Sequence, residues 1–184
     1  MTDKRTAVSM VASLMALAAR TAPKAKGVDT IVVRVLGAED LRKLAHAMSA
    51  YGKDHGKAFF LRDAKNMLAS DACVIIGAKG DLTAGIDCGA CGWATCAEMT
   101  RARKKHRKQT TPFAGPNCAV RMADLGIAVG SAAKTAQIHN VDNRIMYTGG
   151  TAAVALGLLG KDCTVAYAIP LSASGKNIFF DRTA

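Results

Sequence analysis

Apolar residues recur along the chain with two periods, one typical of helices and one typical of strands. Val8, Val11 and Met15 lie three or four residues apart, which places them on one helical face and predicts a helix over residues 5–20. Helical spacing or Ala-rich apolar composition predicts four more helices, over residues 38–53, 58–69, 120–139 and 142–159. Short apolar runs rich in β-branched residues predict three strands, at residues 30–36, 72–76 and 163–169. Because helices and strands do not alternate strictly, the pattern favours an α+β fold.

The first predicted helix has a second interpretation. Lys4 and Arg5 precede a charge-free run over residues 6–19, and a basic start before an apolar run that ends in small residues is also typical of a secretory signal. The helical spacing, and Arg20 directly after the run, favour an ordinary helix. The run is too short to cross a membrane as a helix. We therefore expect a cytoplasmic protein with no membrane partner.

Composition narrows the class of protein further. Half of the 184 residues are hydrophobic and 21% are charged, which excludes a disordered chain and suits a single domain over residues 1–184. Gly126 and Gly130 lie four residues apart in a predicted helix, a spacing that lets a neighbouring helix approach closely. The six cysteines are too few for a disulfide scaffold. Cys73 and Cys163 lie in predicted strands and are expected to pack there.

The other four cysteines form the strongest signal for chemistry. Cys88, Cys91, Cys96 and Cys118 have the spacing C-x2-C-x4-C-x21-C. Two thiolates separated by two residues on a tight turn reach one metal centre, and the intervening glycines let the backbone wrap that centre. The third cysteine is expected near the start of a helix, and the fourth arrives from a distant loop. Ligation by thiolates alone favours zinc or an iron–sulfur cluster.

The spacing of the cysteines partly distinguishes zinc from an iron–sulfur cluster. Structural zinc usually takes two paired C-x2-C knuckles or mixed Cys and His ligands, whereas here Cys118 has no partner two residues away. One tight triplet and one remote cysteine are typical of a single [4Fe–4S] cluster, with Trp93 expected to shield it from water. Zinc, and four unrelated buried cysteines, remain the alternatives.

Several segments carry a family resemblance. Residues 87–96 (DCGACGWATC) look like the short cluster-binding module of anaerobic redox enzymes. With the segments PNC, DLGIA, VDNRIMY and IPLSASGKN, at residues 116–118, 124–128, 141–147 and 169–177, the chain resembles a bacterial and archaeal family of uncharacterised "ferredoxin domain-containing" proteins. The resemblance covers nearly the whole chain. It implies a cluster, and it implies no particular reaction.

A weaker resemblance is to the nitroreductases. Residues 18–23 (AARTAP) look like the start of that fold, where a helix leads into a flavin-facing turn, and residues 124–128 look like its central helix. The resemblance implies a homodimeric α+β flavoprotein fold in which residues 86–118 are a cluster-bearing insertion. It also implies that Arg20, Lys24 and Lys26 lie near the phosphate of a bound FMN, because basic side chains suit a dianionic group.

A basic run lies between the third and fourth cysteines. Residues 101–108 (RARKKHRK) hold six Lys or Arg, more than half of the net charge of +11. The commonest role of such a run is a solvated helix face. The functional alternative is a docking site for an acidic redox partner on Arg101–Lys108, and nucleic acid is the other polyanion. Few aromatic residues flank the run, which disfavours nucleic acid.

Three functions therefore follow from the residues and the resemblances. The first is a redox protein that carries one [4Fe–4S] cluster for electron transfer. The second is an FMN-dependent, nitroreductase-like oxidoreductase in which the cluster supplies electrons to the flavin. The third is a zinc-stapled module that binds nucleic acid. The catalytic residues, the substrate and the electron donor do not follow from the sequence, and neither does the decision between an enzyme and an electron carrier.

Overall fold

The computed structural model describes residues 3–105 and 111–180. This part of the chain contains six α-helices: α1 (Lys4–Thr21), α2 (Ala38–Asp54), α3 (Ala58–Leu68), α4 (Cys96–Lys105), α5 (Ala119–Ile138) and α6 (Tyr147–Ala155). It contains four strands: β1 (Ile31–Leu36), β2 (Ala72–Ala78), β3 (Asp142–Asn143) and β4 (Val165–Ser172). The predicted α+β class is confirmed.

The strands form one antiparallel sheet in the order β1-β2-β4-β3. Strand β2 is buried along its whole length, so its alternate side chains enter two different cores. Val74 and Ile76 pack with α1 and α5 on one face of the sheet. Cys73 and Ile75 pack with α2, α3 and α6 on the other face. The sheet is therefore the middle layer between two helical layers.

The first predicted helix is confirmed as part of the core. Val8, Val11 and Met15 are buried on α1, which packs against the buried face of α5. The prediction that Gly126 and Gly130 contact a neighbouring helix is wrong for the described residues. A side chain added at either glycine would meet no atom within 4 Å, because α5 turns its other face inward. None of the helices in the described ranges has the length and apolar character needed to cross a bilayer.

The prediction of one helix over residues 142–159 is wrong at its start. Asp142 does not cap a helix, because Asp142 and Asn143 form β3 and pair with Ser172 and Leu171. The Asp142 carboxylate instead accepts a hydrogen bond of 2.9 Å from the side chain of Asn177. Pairing with the sheet edge overrides the helical pattern here, and α6 begins only at Tyr147.

The last strand begins two residues later than predicted, at Val165, so Cys163 lies before it, and it continues past the predicted end through Pro170. Proline donates no backbone hydrogen bond and normally stops a central strand. Ala168 exchanges both of its backbone hydrogen bonds with Met146, on the β3 side of β4. Successive residues of a strand bond to opposite neighbours, so the missing N–H of Pro170 also points to that side. The pairing there is interrupted between Asn143 and Met146, and no hydrogen bond is lost.

Candidate metal centre

The four predicted ligands lie around one cavity between the loop before α4, α4 itself and the start of α5. Cys88, Cys91, Cys96 and Cys118 all line this cavity, together with Trp93 and Met99. Cys88 is exposed, Cys91 and Cys96 are half-buried, and Cys118 is buried. The fold thus brings the remote cysteine to the local triplet, and one edge of the site, at Cys88, opens to solvent.

Two glycines allow the tight turn in the loop that carries the first two cysteines. Gly89 and Gly92 have φ angles of 72° and 87°, in the left-handed region that residues with a side chain rarely adopt. The N–H of Gly92 donates a hydrogen bond of 2.9 Å to the carbonyl of Gly89. This closes a tight turn around Cys91, as the C-x2-C spacing predicted.

The third cysteine is held by caps at the start of α4. The N–H of Cys96 donates to the Asp87 carboxylate at 2.7 Å, and Asp87 has an unusual positive φ of 46°. Thr95 and Glu98 form a capping box, in which the Glu98 N–H donates to the Thr95 hydroxyl and the Glu98 side chain accepts from the Thr95 N–H. This box was not predicted, although its T-x-x-E pattern is a local signal in the sequence.

The fourth cysteine is attached to the end of the sheet. The N–H of Cys118 donates to the carbonyl of Gly80 at 2.7 Å. The Thr164 hydroxyl donates to the Asn117 side chain at 2.7 Å and accepts from the N–H of Gly80 at 3.0 Å. The sequence marks neither Gly80 nor Thr164 as part of the site, because only the tertiary fold brings them to Cys118.

A small apolar cluster forms the inner wall of the cavity. Met99 and Ala84 are buried against Cys118, and Trp93 packs on the same cluster. This cluster is separate from the two cores of the sheet. Trp93 is half-buried and lines the cavity, and its shielding of a bound cluster from water stays a prediction.

The donor set fits an iron–sulfur cluster in its chemistry. Four thiols, an apolar inner wall and a loop shaped by glycines are features by which proteins hold and tune such clusters. Among residues 3–105 and 111–180, no three His, Cys, Asp or Glu side chains are grouped so as to hold a single metal ion.

The two remaining cysteines are inert. Cys73 and Cys163 are buried in the core around α2, α3 and α6. Burial raises the pKa of Cys73 well above its usual range and that of Cys163 to about 11. Both side chains therefore stay protonated at neutral pH and pack as small apolar groups, as predicted.

The three residues predicted near an FMN phosphate have different surroundings. Arg20 forms an ion pair with Asp29 and donates to the carbonyl of Ile31 at 2.8 Å. Lys24 donates to carbonyls of the last turn of α1, among them those of Ala19 and Arg20. Lys26 is exposed on the following turn. A phosphate would have to draw Arg20 and Lys24 away from these internal partners.

Asp29 is the acidic partner of Arg20. Partial burial works to raise the pKa of Asp29. Hydrogen bonds from Arg20 and from the N–H of Ile31 outweigh that effect and hold the pKa below its ordinary value. Asp29 is therefore ionised at neutral pH and keeps Arg20 engaged.

The basic run divides into an inner and an outer part. Arg101, Lys104 and Lys105 are exposed on α4, whereas Arg103 is half-buried. Arg103 donates to the carbonyl of Pro116 at 2.8 Å. The last three residues of the run, 106–108, lie outside the described ranges.

Solved structures with a similar fold are nitroreductase-like. An FMN-dependent nitroreductase from Clostridium difficile superposes with a TM-score of 0.55 at 14% identity, over 91% of this chain and 76% of that one. An NADPH:FMN oxidoreductase from Vibrio harveyi in complex with NAD+ superposes with a TM-score of 0.54 at 10% identity, over 96% of this chain. That match spans 62% of the Vibrio chain, so the Vibrio protein is the larger. The predicted nitroreductase-like fold is confirmed.

Sequence comparisons identify the family. An uncharacterized protein from Archaeoglobus fulgidus is 45% identical over 179 residues, which cover 97% of this chain and 94% of the archaeal one. The family model for uncharacterized proteins containing a ferredoxin domain (DUF2148) matches residues 114–182, which include Cys118. The chain therefore belongs to this family of ferredoxin-domain proteins, built on a nitroreductase-like fold.

Proposed function

We propose that the protein is an electron-transfer protein that holds one [4Fe–4S] cluster through Cys88, Cys91, Cys96 and Cys118. The observation that carries the proposal is the placement of all four cysteines around one cavity, although 21 residues separate Cys96 from Cys118. Membership of a ferredoxin-domain family supports the same chemistry. When bound, the cluster would accept and release single electrons.

The surroundings of the cysteines suit electron exchange at one edge. Met99 and Cys118 are buried, so water is kept from the inner side of the site. Cys88 is exposed, and Ile86 beside it is exposed by 51%. A partner that approaches this edge would come close to a ligand sulfur without any movement of the fold.

The test is spectroscopic. Anaerobically purified protein is expected to show broad visible absorbance that dithionite bleaches and reoxidation restores, with an electron paramagnetic resonance (EPR) signal from the reduced state. A colourless protein with no such signal, after reconstitution with iron and sulfide, would contradict the proposal.

The outer part of the basic run is the proposed docking site for an acidic redox partner. Arg101, Lys104 and Lys105 are exposed on α4, the helix that begins at Cys96. Positive charge on such a surface raises the association rate with an acidic protein at low salt. Changing Lys104 and Lys105 to Glu should slow reduction by an acidic ferredoxin about tenfold at low salt. The matched double change of the exposed Lys53 and Lys161 to Glu, both outside α4, should have little effect.

A flavin-dependent reductase is the second candidate. The fold likeness to an FMN-dependent nitroreductase supports it, and in that case the cluster would supply electrons to a flavin. Arg20 and Lys24 have internal partners, so this candidate rests on the fold and not on a phosphate site. Heat denaturation would release a yellow fluorescent cofactor in about equal amount to the chain. Its absence after incubation with FMN would exclude this candidate.

We also propose that two copies pair through the outer faces of α1 and α5. Met10, Leu14 and Leu17 are exposed on α1, and Ile127 is exposed on α5 beside the open Gly130. No charged residue interrupts α1 between Arg5 and Arg20. Light scattering should give a dimer mass for the native protein and a monomer mass for Leu17→Glu. The change of Val35, exposed on β1, to Glu should leave the dimer intact.

A further inference from the structure

Arg103 contacts both segments that hold Cys118, although the sequence placed it in a solvated basic run. Its guanidinium donates to the carbonyl of Pro116 at 2.8 Å and lies 3.7 Å from the carboxylate of Asp81. Pro116 lies two residues before Cys118, and Asp81 follows Gly80, which accepts the N–H of Cys118. The side chain of Arg103 therefore reaches both segments that hold the fourth cysteine.

Helical geometry explains why Arg103 differs from its neighbours. Cys96, Met99 and Arg103 are spaced by three and four residues, so they share one face of α4. Arg101, Lys104 and Lys105 point elsewhere and are exposed, whereas the Arg103 side chain is 20% exposed. The basic run thus contains one inward arginine among outward charges.

This contact matters because α4 has little other support. In the described residues, α4 makes only sparse contact with the other helices and strands. Met99 packs against Cys118, and the hydrogen bonds of Asp87, Thr95 and Glu98 remain within the segment that carries the first three cysteines. Arg103 ties α4 to the Cys118 loop, most closely through its hydrogen bond to the carbonyl of Pro116, with longer contacts of 3.5 Å to Ala114 and Asn117.

We propose that Arg103 is a positioning residue, which holds Cys96 and Cys118 at the separation that the cluster requires. The inference rests on the proposed function. A guanidinium suits this role because its donors lie in a rigid plane and serve two acceptors at once, whereas a lysine offers a single flexible ammonium. Loss of the charge-assisted hydrogen bond would let the Cys118 loop move relative to α4 and expose the cluster to attack.

The test compares Arg103→Gln with Arg101→Gln in the full-length, cluster-loaded protein. Arg101 lies in the same run and carries the same charge, but it is exposed. Iron loss to an excess of chelator should be about tenfold faster in Arg103→Gln, the scale of one charge-assisted hydrogen bond. The EPR spectrum of its reduced cluster should also change. Arg101→Gln should match the native protein in both, and Arg103→Lys should fall between the two.

Two results would overturn the inference. One is equal iron-loss rates and equal EPR spectra for Arg103→Gln and Arg101→Gln. The other is a lower melting temperature of Arg103→Gln with unchanged rate and spectrum, because that would show a merely structural role. If Arg103→Gln gives no folded protein, Arg103→Lys compared with Arg101→Lys decides by the same criteria. A native protein without iron and sulfide would instead refute the proposed function.

Discussion

Two regions of the molecule are stabilised by different forces. One is the sheet with its two helical layers, and the other is the cysteine segment, residues 79–118. Strand β2 alone buries seven consecutive residues between two cores. The cysteine segment has a small cluster around Met99 and Cys118. Its shape depends mainly on polar ties, from Asp87 to Cys96, from Cys118 to Gly80 and from Arg103 to Pro116.

This difference predicts that the two regions depend on a bound cluster to different extents. The sheet and its helices bury two apolar cores, so we expect this region to fold without a cofactor. The described part of the cysteine segment buries few apolar residues, so we expect the bound cluster to supply much of its order, as metal sites do in other small modules. Variants in one region should therefore change a quantity that variants in the other region leave unchanged.

The largest expected effect is the loss of the cluster on removal of one ligand. Cys96→Ala should lower iron and sulfide to near zero, because three thiolates leave one corner of the cluster without its ligand. Cys163→Ala is the control, since Cys163 is buried away from the site. It should keep the full iron content and lose stability alone. Equal iron loss in both variants would contradict the assignment.

The second prediction tests the sheet region. Leu44 is fully buried in the core around α2, α3 and α6. Leu44→Ala should lower the free energy of unfolding by about 2–5 kcal/mol, because it removes buried methyl groups and leaves a cavity. Denaturant unfolding followed by circular dichroism measures this change. The iron content of the folded fraction should stay unchanged. A parallel loss of iron would show that the stability of the sheet and the retention of the cluster are coupled.

The third prediction concerns the point where the regions meet. A Cβ at Gly80 would lie 2.5 Å from the Asn117 side-chain oxygen and 2.8 Å from the Thr164 hydroxyl. Gly80→Ala should therefore push the Cys118 loop outward, at a cost of about 1–3 kcal/mol. Faster iron loss to a chelator should accompany the lower stability. Gly37→Ala, before α2, is the matched control, because its added Cβ meets open space.

The smallest expected effect is at the cap of α4. Asp87→Ala removes the acceptor of the Cys96 N–H, a change worth about 0.5–2 kcal/mol at a helix start. Asp87→Asn keeps an oxygen acceptor and tolerates the positive φ better than alanine does. The half-life of the cluster under chelator should fall in Asp87→Ala and stay close to native in Asp87→Asn. Equal half-lives in the two variants would show that the hydrogen bond to Asp87 does not help to retain the cluster.

The sequence predicted the features that depend on neighbouring residues and not those that depend on distant ones. The ligand loop and the helix start at Cys96 were predictable, because spacing, glycines and periodicity are local properties. Strand β3 was not, because Asp142 and Asn143 become a strand only by pairing with Leu171 and Ser172. The inward position of Arg103 was likewise hidden, since its partner Pro116 lies 13 residues away.

The central claim is that four cysteines hold one [4Fe–4S] cluster, and elemental analysis tests it most directly. Iron, zinc and acid-labile sulfide are measured together in anaerobically purified protein, alongside Cys96→Ala. We expect about four iron and four sulfide per chain in the native protein, and almost none in the variant. One zinc per chain without sulfide would contradict it and would favour a zinc-stapled module.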